Sequence, residues 1–120
     1  MDDQEALDAY SSTVMRVAQI VLPSVAAVSV RTRQGAGAGS ASVITSEGHL
    51  LTSAHVVEGA IGVEVAFPDG TVAAASVIGA DPLSDLAVLR ADVDTPPPLT
   101  MGDASKLGVG QLVVALGNPR

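Results

Sequence analysis

The sequence predicts an all-β chain: six short strands in an antiparallel barrel or sandwich, with an N-terminal helix before them and one further strand-like run after them. Three observations predict this class. Between residues 25 and 90, short β-branched and apolar runs are separated by turn signals. No helical pattern separates these runs, which favours antiparallel pairing over a parallel sheet. Before residue 23, the apolar spacing is instead helical.

Length and composition indicate one domain, or one domain with a piece of another. The chain has 120 residues, of which 48% are hydrophobic, but only one Phe, one Tyr and no Trp. A chain of this length can bury a core. We expect that core to consist of Val, Ala, Leu and Ile side chains.

The charge of the chain argues against several classes of partner. Thirteen acidic residues against six Lys and Arg give a net charge of -7, and the basic residues form no run longer than the pair Arg31 and Arg33. Nucleic acid and anionic membrane surfaces are therefore not expected as partners. The longest apolar run is interrupted too early for a membrane span, and the acidic N-terminus is unlike a signal peptide. The absence of cysteine excludes a disulfide framework and a thiolate metal site.

The N-terminal region, residues 1–24, is predicted to be a helix from about Asp8 to Leu22, ended by Pro23. Its apolar residues recur three and four positions apart and so share one helix face. We expect this face to pack on the core; a partner-binding stripe that includes Tyr10 is the alternative. The residues of the stripe are Leu7, Tyr10, Val14, Val17 and Val21.

The strand region is assigned to residues 25–94, and short strands joined by tight turns favour a barrel or a sandwich. Its six predicted strands cover residues 25–32, 40–45, 49–54, 62–67, 71–80 and 85–90. Hairpin turns are expected at residues 46–48 and 68–70. The stretch Gly35 to Gly39, "GAGAG", is expected to be a flexible loop before the second strand. It lacks the lysine and hydroxyl ending of a phosphate-binding loop.

The C-terminal part is predicted to be a linker, residues 95–110, followed by a further strand-like region, residues 111–120. Three consecutive prolines keep the linker out of a sheet. The strand-like run at residues 112–116 has no evident partner. An unpaired strand exposes backbone donors and acceptors, so self-association through residues 111–117 is expected.

Two polar residues stand out against the β pattern. His55 follows the third predicted strand, and Asp85 begins the sixth after a turn that contains Pro82. A carboxylate beside a histidine can accept its Nδ1 proton, fix the tautomer and stabilise the imidazolium. The alternative is structural: a buried, hydrogen-bonded histidine and a turn aspartate.

Several motifs in order resemble the protease domain of HtrA-type (DegP-like) trypsin-like serine proteases. They are "SASVITSEGHLLTSAHVVEGA", "VAFPDGTVAAASVIGADPLSDLAVLR" and "MGDASKLGVGQLVVALGNP". The resemblance covers nearly the whole chain from Leu22 onward. It implies a fold of two six-stranded antiparallel barrels with the catalytic triad between them. The first barrel would be residues 25–94, and residues 111–120 would be the opening strand of the second. The resemblance also implies that His55 and Asp85 are the catalytic histidine and aspartate.

The resemblance also shows what the sequence lacks. None of the eleven serines lies in the family's "GNSGGP" motif or in a G-x-S-x-G setting. We therefore expect the 120-residue chain to be inactive alone, as the N-terminal portion of a serine endopeptidase. No metal or cofactor is expected, because His55 with scattered carboxylates forms no dense ligand cluster. The resemblance implies unfolded proteins or peptides as substrates, homo-oligomers formed through the N-terminal segment, and a bacterial extracytoplasmic location.

Two other functions remain open at this point. The chain could be a stand-alone, non-catalytic barrel that acts as a binding or assembly module. It could also be a small β domain without a site, which requires the motifs around His55 and Asp85 to be accidental.

Overall fold

The computed structural model describes residues 1–109 and 111–118. Its regular elements are α1 (Asp3–Val21), a first 3₁₀ turn (Leu22–Ser24), β1 (Val25–Thr32), β2 (Gly35–Val43), β3 (His49–Thr52), α2 (Ala54–Val57), β4 (Ala60–Ala66), β5 (Val72–Asp81), β6 (Leu86–Ala91) and a second 3₁₀ turn (Ala104–Lys106).

The six strands form a closed antiparallel barrel, which confirms the predicted fold class. The order around the barrel is β1-β2-β3-β6-β5-β4, so β1 pairs with both β2 and β4. Val28, for example, lies opposite Gly39 on one side and Val65 on the other. Because the barrel is closed, every strand has a hydrogen-bonded neighbour on each side.

The core fills the barrel with small aliphatic side chains and a single aromatic ring. The largest fully buried side chains are those of Phe67, Leu50, Leu89, Val28, Val43 and Val65. Alternation places them inside: in β6, Ala87, Leu89 and Ala91 are buried and the residues between them are not. The expectation of a core built from Val, Ala, Leu and Ile holds for these residues, with Phe67 as the exception.

Helix α1 differs from its prediction in two ways. It begins at Asp3 because the Asp2 carboxylate accepts the Glu5 backbone N–H at 2.8 Å, and acidic residues fill its first turn. It buries none of its residues, and the side chains of Leu7 and Tyr10 are each 57% exposed. The expected core-facing stripe is therefore wrong. The barrel already closes around its own core, and α1 packs mainly against the first 3₁₀ turn.

The glycine-rich stretch is strand and not loop. β2 begins at Gly35, and Gly37 and Gly39 pair with Val30 and Val28 of β1. The hairpin turn is thereby reduced to Arg33 and Gln34. Glycine disfavours strands by its own propensity, but pairing with β1 along its whole length overrides that preference here.

The chain beyond the barrel is irregular. Apart from the second 3₁₀ turn, residues 95–109 and 111–118 contain no regular element, so residues 112–116 do not pair as a strand within the described chain, and their role as the opening strand of a second barrel stays a prediction. The closed barrel explains this because it leaves no free edge with which a further strand could pair. Gly110, Pro119 and Arg120, which belong to the predicted linker and strand, lie outside the described residues.

Candidate active site

His55 lies in a short helix directly after a barrel strand. β3 ends at Thr52, Ser53 precedes α2, and His55 is the second residue of α2. Its neighbours Ala54 and Val57 are buried and anchor α2 on the core, while the His55 side chain is 69% exposed. The structural alternative of a buried histidine therefore does not describe this residue.

Asp85 ends the turn that leads into β6. Its backbone has φ of 57°, in the left-handed region that Asp and Asn tolerate better than most residues. Within the same turn the Asp81 carboxylate accepts the Leu83 backbone N–H and the Ser84 hydroxyl, both at 3.0 Å. These bonds shape the turn so that the Asp85 carboxylate is presented to α2.

The Asp85 carboxylate holds His55 at two points. Oδ2 lies 2.7 Å from the ring Nδ1, and Oδ1 accepts the His55 backbone N–H at 2.8 Å. The Asp85 carbonyl also accepts the Ala54 backbone N–H at 3.1 Å. One side chain therefore fixes both the backbone and the ring of His55, which restricts ring rotation.

The same contacts set the protonation of the pair. The backbone N–H of His55, and next its ring, lower the pKa of Asp85 below its usual 3.8, against a small opposing effect of desolvation. Asp85 is thus ionised at neutral pH. Because an ionised carboxylate can only accept hydrogen bonds, Nδ1 carries the proton and Nε2 of a neutral ring keeps its lone pair. Among the described residues, Nε2 has no hydrogen-bond partner.

Two open clefts adjoin the imidazole of His55. One, of about 360 Å³, is lined by apolar side chains such as Val57, Val77 and Pro82 together with Asp85. The other, of about 570 Å³, is lined by polar residues that include Arg33, Gln34 and Glu58. The free ring nitrogen can therefore be approached from solvent.

Other polar groups of the described chain do not join this site. The second histidine, His49, places Nδ1 2.7 Å from Thr45 Oγ1 on the far end of β3. No serine hydroxyl in residues 1–109 or 111–118 bonds to His55. Within the same ranges there is no group of three or more His, Cys, Asp or Glu suited to hold a metal ion. None of the helices described there is long and apolar enough to span a bilayer.

His55 and Asp85 lie at the ends of the strands that the sequence predicted, but the contacts that hold them were not predicted. Asp81, whose carboxylate organises the turn, was not among the predicted site residues. The signal was present, since an Asp at the first position of a Pro-containing turn commonly bonds to the backbone two residues on. The backbone N–H bond of His55 to Asp85 left no signal in the sequence, because every residue type but proline carries that donor.

Comparison with known proteins identifies relatives of this chain. The trypsin-like peptidase domain family matches residues 39–120. A probable periplasmic serine endoprotease DegP-like of Halomonas elongata is 47% identical over 81 residues, which are 68% of this chain and 17% of that protein. The putative serine protease HhoB of Synechocystis sp. is 40% identical over 83 residues, 69% of this chain and 20% of its own length.

Two solved structures share the fold. The HtrA-type protease AlgW with tripeptide matches with a TM-score of 0.74 and 34% identity, over 79% of this chain and 31% of that one. The serine endoprotease from Yersinia pestis matches with a TM-score of 0.63 and 29% identity, over 71% of this chain and 30% of that one. The chain thus spans about a fifth or less of these curated relatives and about a third of the solved chains.

Proposed function

This chain belongs to the HtrA-type serine proteases of the trypsin-like peptidase family, and from that membership we propose that it supplies two of the three catalytic residues of an endopeptidase. His55 is the general base and acid, and Asp85 orients it. The observation that carries this proposal is the double contact of the Asp85 carboxylate with the ring and the backbone of His55.

The proposed chemistry follows from the open ring nitrogen. Nε2 of His55 removes the proton from a serine hydroxyl as its oxygen attacks the peptide carbonyl. The imidazolium so formed is stabilised by the ionised Asp85, which itself stays unprotonated. Nε2 then gives the proton to the leaving amine, and the same nitrogen later activates the water that releases the acyl group.

We place the nucleophile outside the 120 residues. None of the serines in the described chain bonds to His55, and none has the sequence setting of an activated nucleophile. The oxyanion donors and the substrate pocket belong to the same missing part of the site. The solved relatives are about three times as long as the stretch they share with this chain, which leaves room for such a part.

Activity of the whole protein tests the two assignments. We expect cleavage of unfolded casein to fall on the order of a thousandfold or more in His55→Ala and in Asp85→Asn. Asn is the appropriate replacement at position 85 because it also tolerates a positive φ. Asp69→Asn, at an exposed turn aspartate that also caps its own turn, is the matched control and should leave the rate unchanged. Cleavage that survives His55→Ala would refute the proposal.

The isolated chain provides the complementary test. We expect the 120 residues alone to leave casein intact and to remain unlabelled by a fluorophosphonate probe, because that probe requires an activated serine. Labelling of the isolated chain would place the nucleophile within it and contradict this part of the proposal.

Substrate class and location are proposed from the relatives. Several are named as periplasmic endoproteases, so we propose an extracytoplasmic site of action and unfolded proteins or peptides as substrates. A comparison of folded and reduced, unfolded substrate at equal concentration tests the substrate class. Equal rates on both would contradict it.

We also propose that the chain self-associates, and several exposed apolar side chains of α1 are the observation that favours this. The side chains of Leu7, Tyr10, Met15 and Ile20 are all more than half exposed. Residues 111–117 remain the second candidate surface, with Val113 exposed as well. Sedimentation velocity of Tyr10→Asp and of Val113→Asp identifies the surface, since only the variant at the contact should dissociate. A monomeric wild type at every concentration would refute self-association.

A further inference from the structure

Residues 111–118 are tied to the barrel through Asn118. Its backbone N–H donates to the Ser40 hydroxyl at 2.9 Å, and that hydroxyl lies 3.3 Å from the Asn118 carbonyl. The Asn118 side-chain amide donates to the Val25 carbonyl at 3.2 Å. The contact therefore spans the first residue of β1 and the middle of β2.

The backbone of Ser40 is bonded in turn to β3, the strand that leads into the helix of His55. The Thr52 hydroxyl donates to the Ser40 carbonyl at 2.8 Å, and Thr52 is buried with 6% exposure. Thr52 is the last residue of β3 and lies three residues before His55. Ser40 thus contacts Asn118 through its hydroxyl group. Through its carbonyl group it contacts Thr52, which precedes α2.

The neighbouring residue, Gly39, allows α2 to sit close to β2. A Cβ at Gly39 would lie 2.8 and 2.9 Å from the two methyl groups of Val56, the residue that follows His55. Such distances are not tolerated, so only glycine permits this approach. A Cβ at Gly117 would lie 3.1 Å from the Ser40 hydroxyl oxygen, so the other contact is close as well.

We propose that Gly39 and Ser40 together form a positioning unit that sets the place of His55 relative to residues 117–118 and to the part of the protein that continues from them. Gly39 allows α2, which carries His55, to pack closely against β2. Ser40 holds residues 117–118 through its bond to Asn118. Ser40 is a positioning residue and not a second nucleophile, because its hydroxyl is engaged by Asn118. This inference rests on the proposed protease function, since it concerns how the histidine is aligned with a nucleophile placed beyond the segment.

Amide exchange in the chain itself tests the contact without reference to activity. We expect Ser40→Ala to speed exchange of the Asn118 N–H about fivefold, as fits the loss of one hydrogen bond. Ser40→Thr keeps the hydroxyl and should retain protection. Ser42→Ala is the matched control in the same strand, since no hydroxyl bond of Ser42 occurs among the described residues. Unchanged exchange in Ser40→Ala would overturn the proposal.

Kinetics of the whole protein test the positioning role. We expect Ser40→Ala to lower kcat for a peptide substrate about tenfold with KM nearly unchanged, because misalignment affects the reaction more than binding. Labelling by a fluorophosphonate should slow in parallel, and Ser40→Thr should restore both rates. A loss of activity that follows only a lower melting temperature, or a kcat that does not change, would refute the positioning role.

A second substitution checks the geometry of the contact. Gly117→Ala should lower kcat in the wild-type background, since the new methyl group meets the Ser40 oxygen. In the Ser40→Ala background the same change should have little further effect, because that oxygen is gone. Additive losses would contradict the proposed contact. If the wild-type protein cleaves nothing, the protease proposal fails, and amide exchange still decides whether Ser40 holds Asn118.

Discussion

The barrel, residues 25–91, and the segment 95–118 are held in place by different forces. Each barrel strand is hydrogen-bonded on both sides and contributes side chains to a common buried core. The described residues of the segment are mostly exposed, and a few hydrogen bonds at Pro97, Leu99 and Asn118 attach them. The His55 and Asp85 pair is thus built on the barrel, whereas its alignment with the rest of an active site depends on these few hydrogen bonds.

The largest expected difference between the two regions is in stability. Leu89→Ala removes a fully buried side chain from the core and should lower the free energy of unfolding by about 3 kcal/mol. Leu107→Ala, in the segment where this side chain is 58% exposed, should change it by less than about 0.5 kcal/mol. Urea denaturation measures both. Similar losses of unfolding free energy in the two variants would contradict the distinction between barrel and segment.

Within β2, alanine substitutions of Gly39 and Gly37 should have different effects on the stability of the barrel. Gly39→Ala should destabilise by about 1 to 2 kcal/mol, because the added methyl group overlaps Val56. Gly37→Ala is the matched control: nothing lies within 4 Å of its Cβ position. Thermal unfolding distinguishes them. A harmless Gly39→Ala would show that α2 can shift freely.

The segment's anchor at Ser24 should have a smaller effect. The buried Ser24 hydroxyl donates to the Pro97 carbonyl at 2.5 Å, and Ser24→Ala should cost about 1 kcal/mol of stability. Proteolysis of residues 95–109 should also accelerate in this variant, since the bond ties that stretch to the barrel. Wild-type stability together with wild-type resistance to proteolysis would mean that the anchor contributes nothing.

The smallest expected effect concerns the pKa of the Asp85 carboxyl group and its contribution to stability at acid pH. The folded-state pKa of Asp85 lies below 3.8, so its contribution to stability is complete above that pH and is lost as the pH falls through the folded value. His55→Ala should raise this pKa only partway, because the backbone N–H bond, the larger cause, remains. An NMR titration of the Asp85 carboxyl carbon measures this. A full return to 3.8 would mean that the ring dominates.

Much of the barrel could be predicted from sequence because alternation and turn residues encode which side of a strand is buried. The early part of β2 could not, since Gly37 has no side chain whose alternation could be detected. The stripe on α1 was visible, but periodicity marks an apolar face without showing what covers it. The strand at residues 112–116 had the right composition and lacked an edge with which to pair.

The candidate site, like the fold, could be predicted from sequence only in part. His55 and Asp85 stood out as polar residues at strand ends, and the motifs around them resemble those of the family. The positive φ of Asp85, its bond to a backbone N–H and the contact of Ser40 with Asn118 depend on how the closed barrel brings distant segments together. Such contacts leave little trace in a single sequence.

The most direct test of the central claim is the location of the proton on the His55 ring, measured by nitrogen NMR of the chain at neutral pH. We expect Nδ1 to carry the proton, hydrogen-bonded to Asp85, and Nε2 to keep the lone pair needed for a general base. Asp85→Asn should remove that preference. A proton found mainly on Nε2 in the wild-type chain would contradict the claim that Asp85 prepares His55 for catalysis.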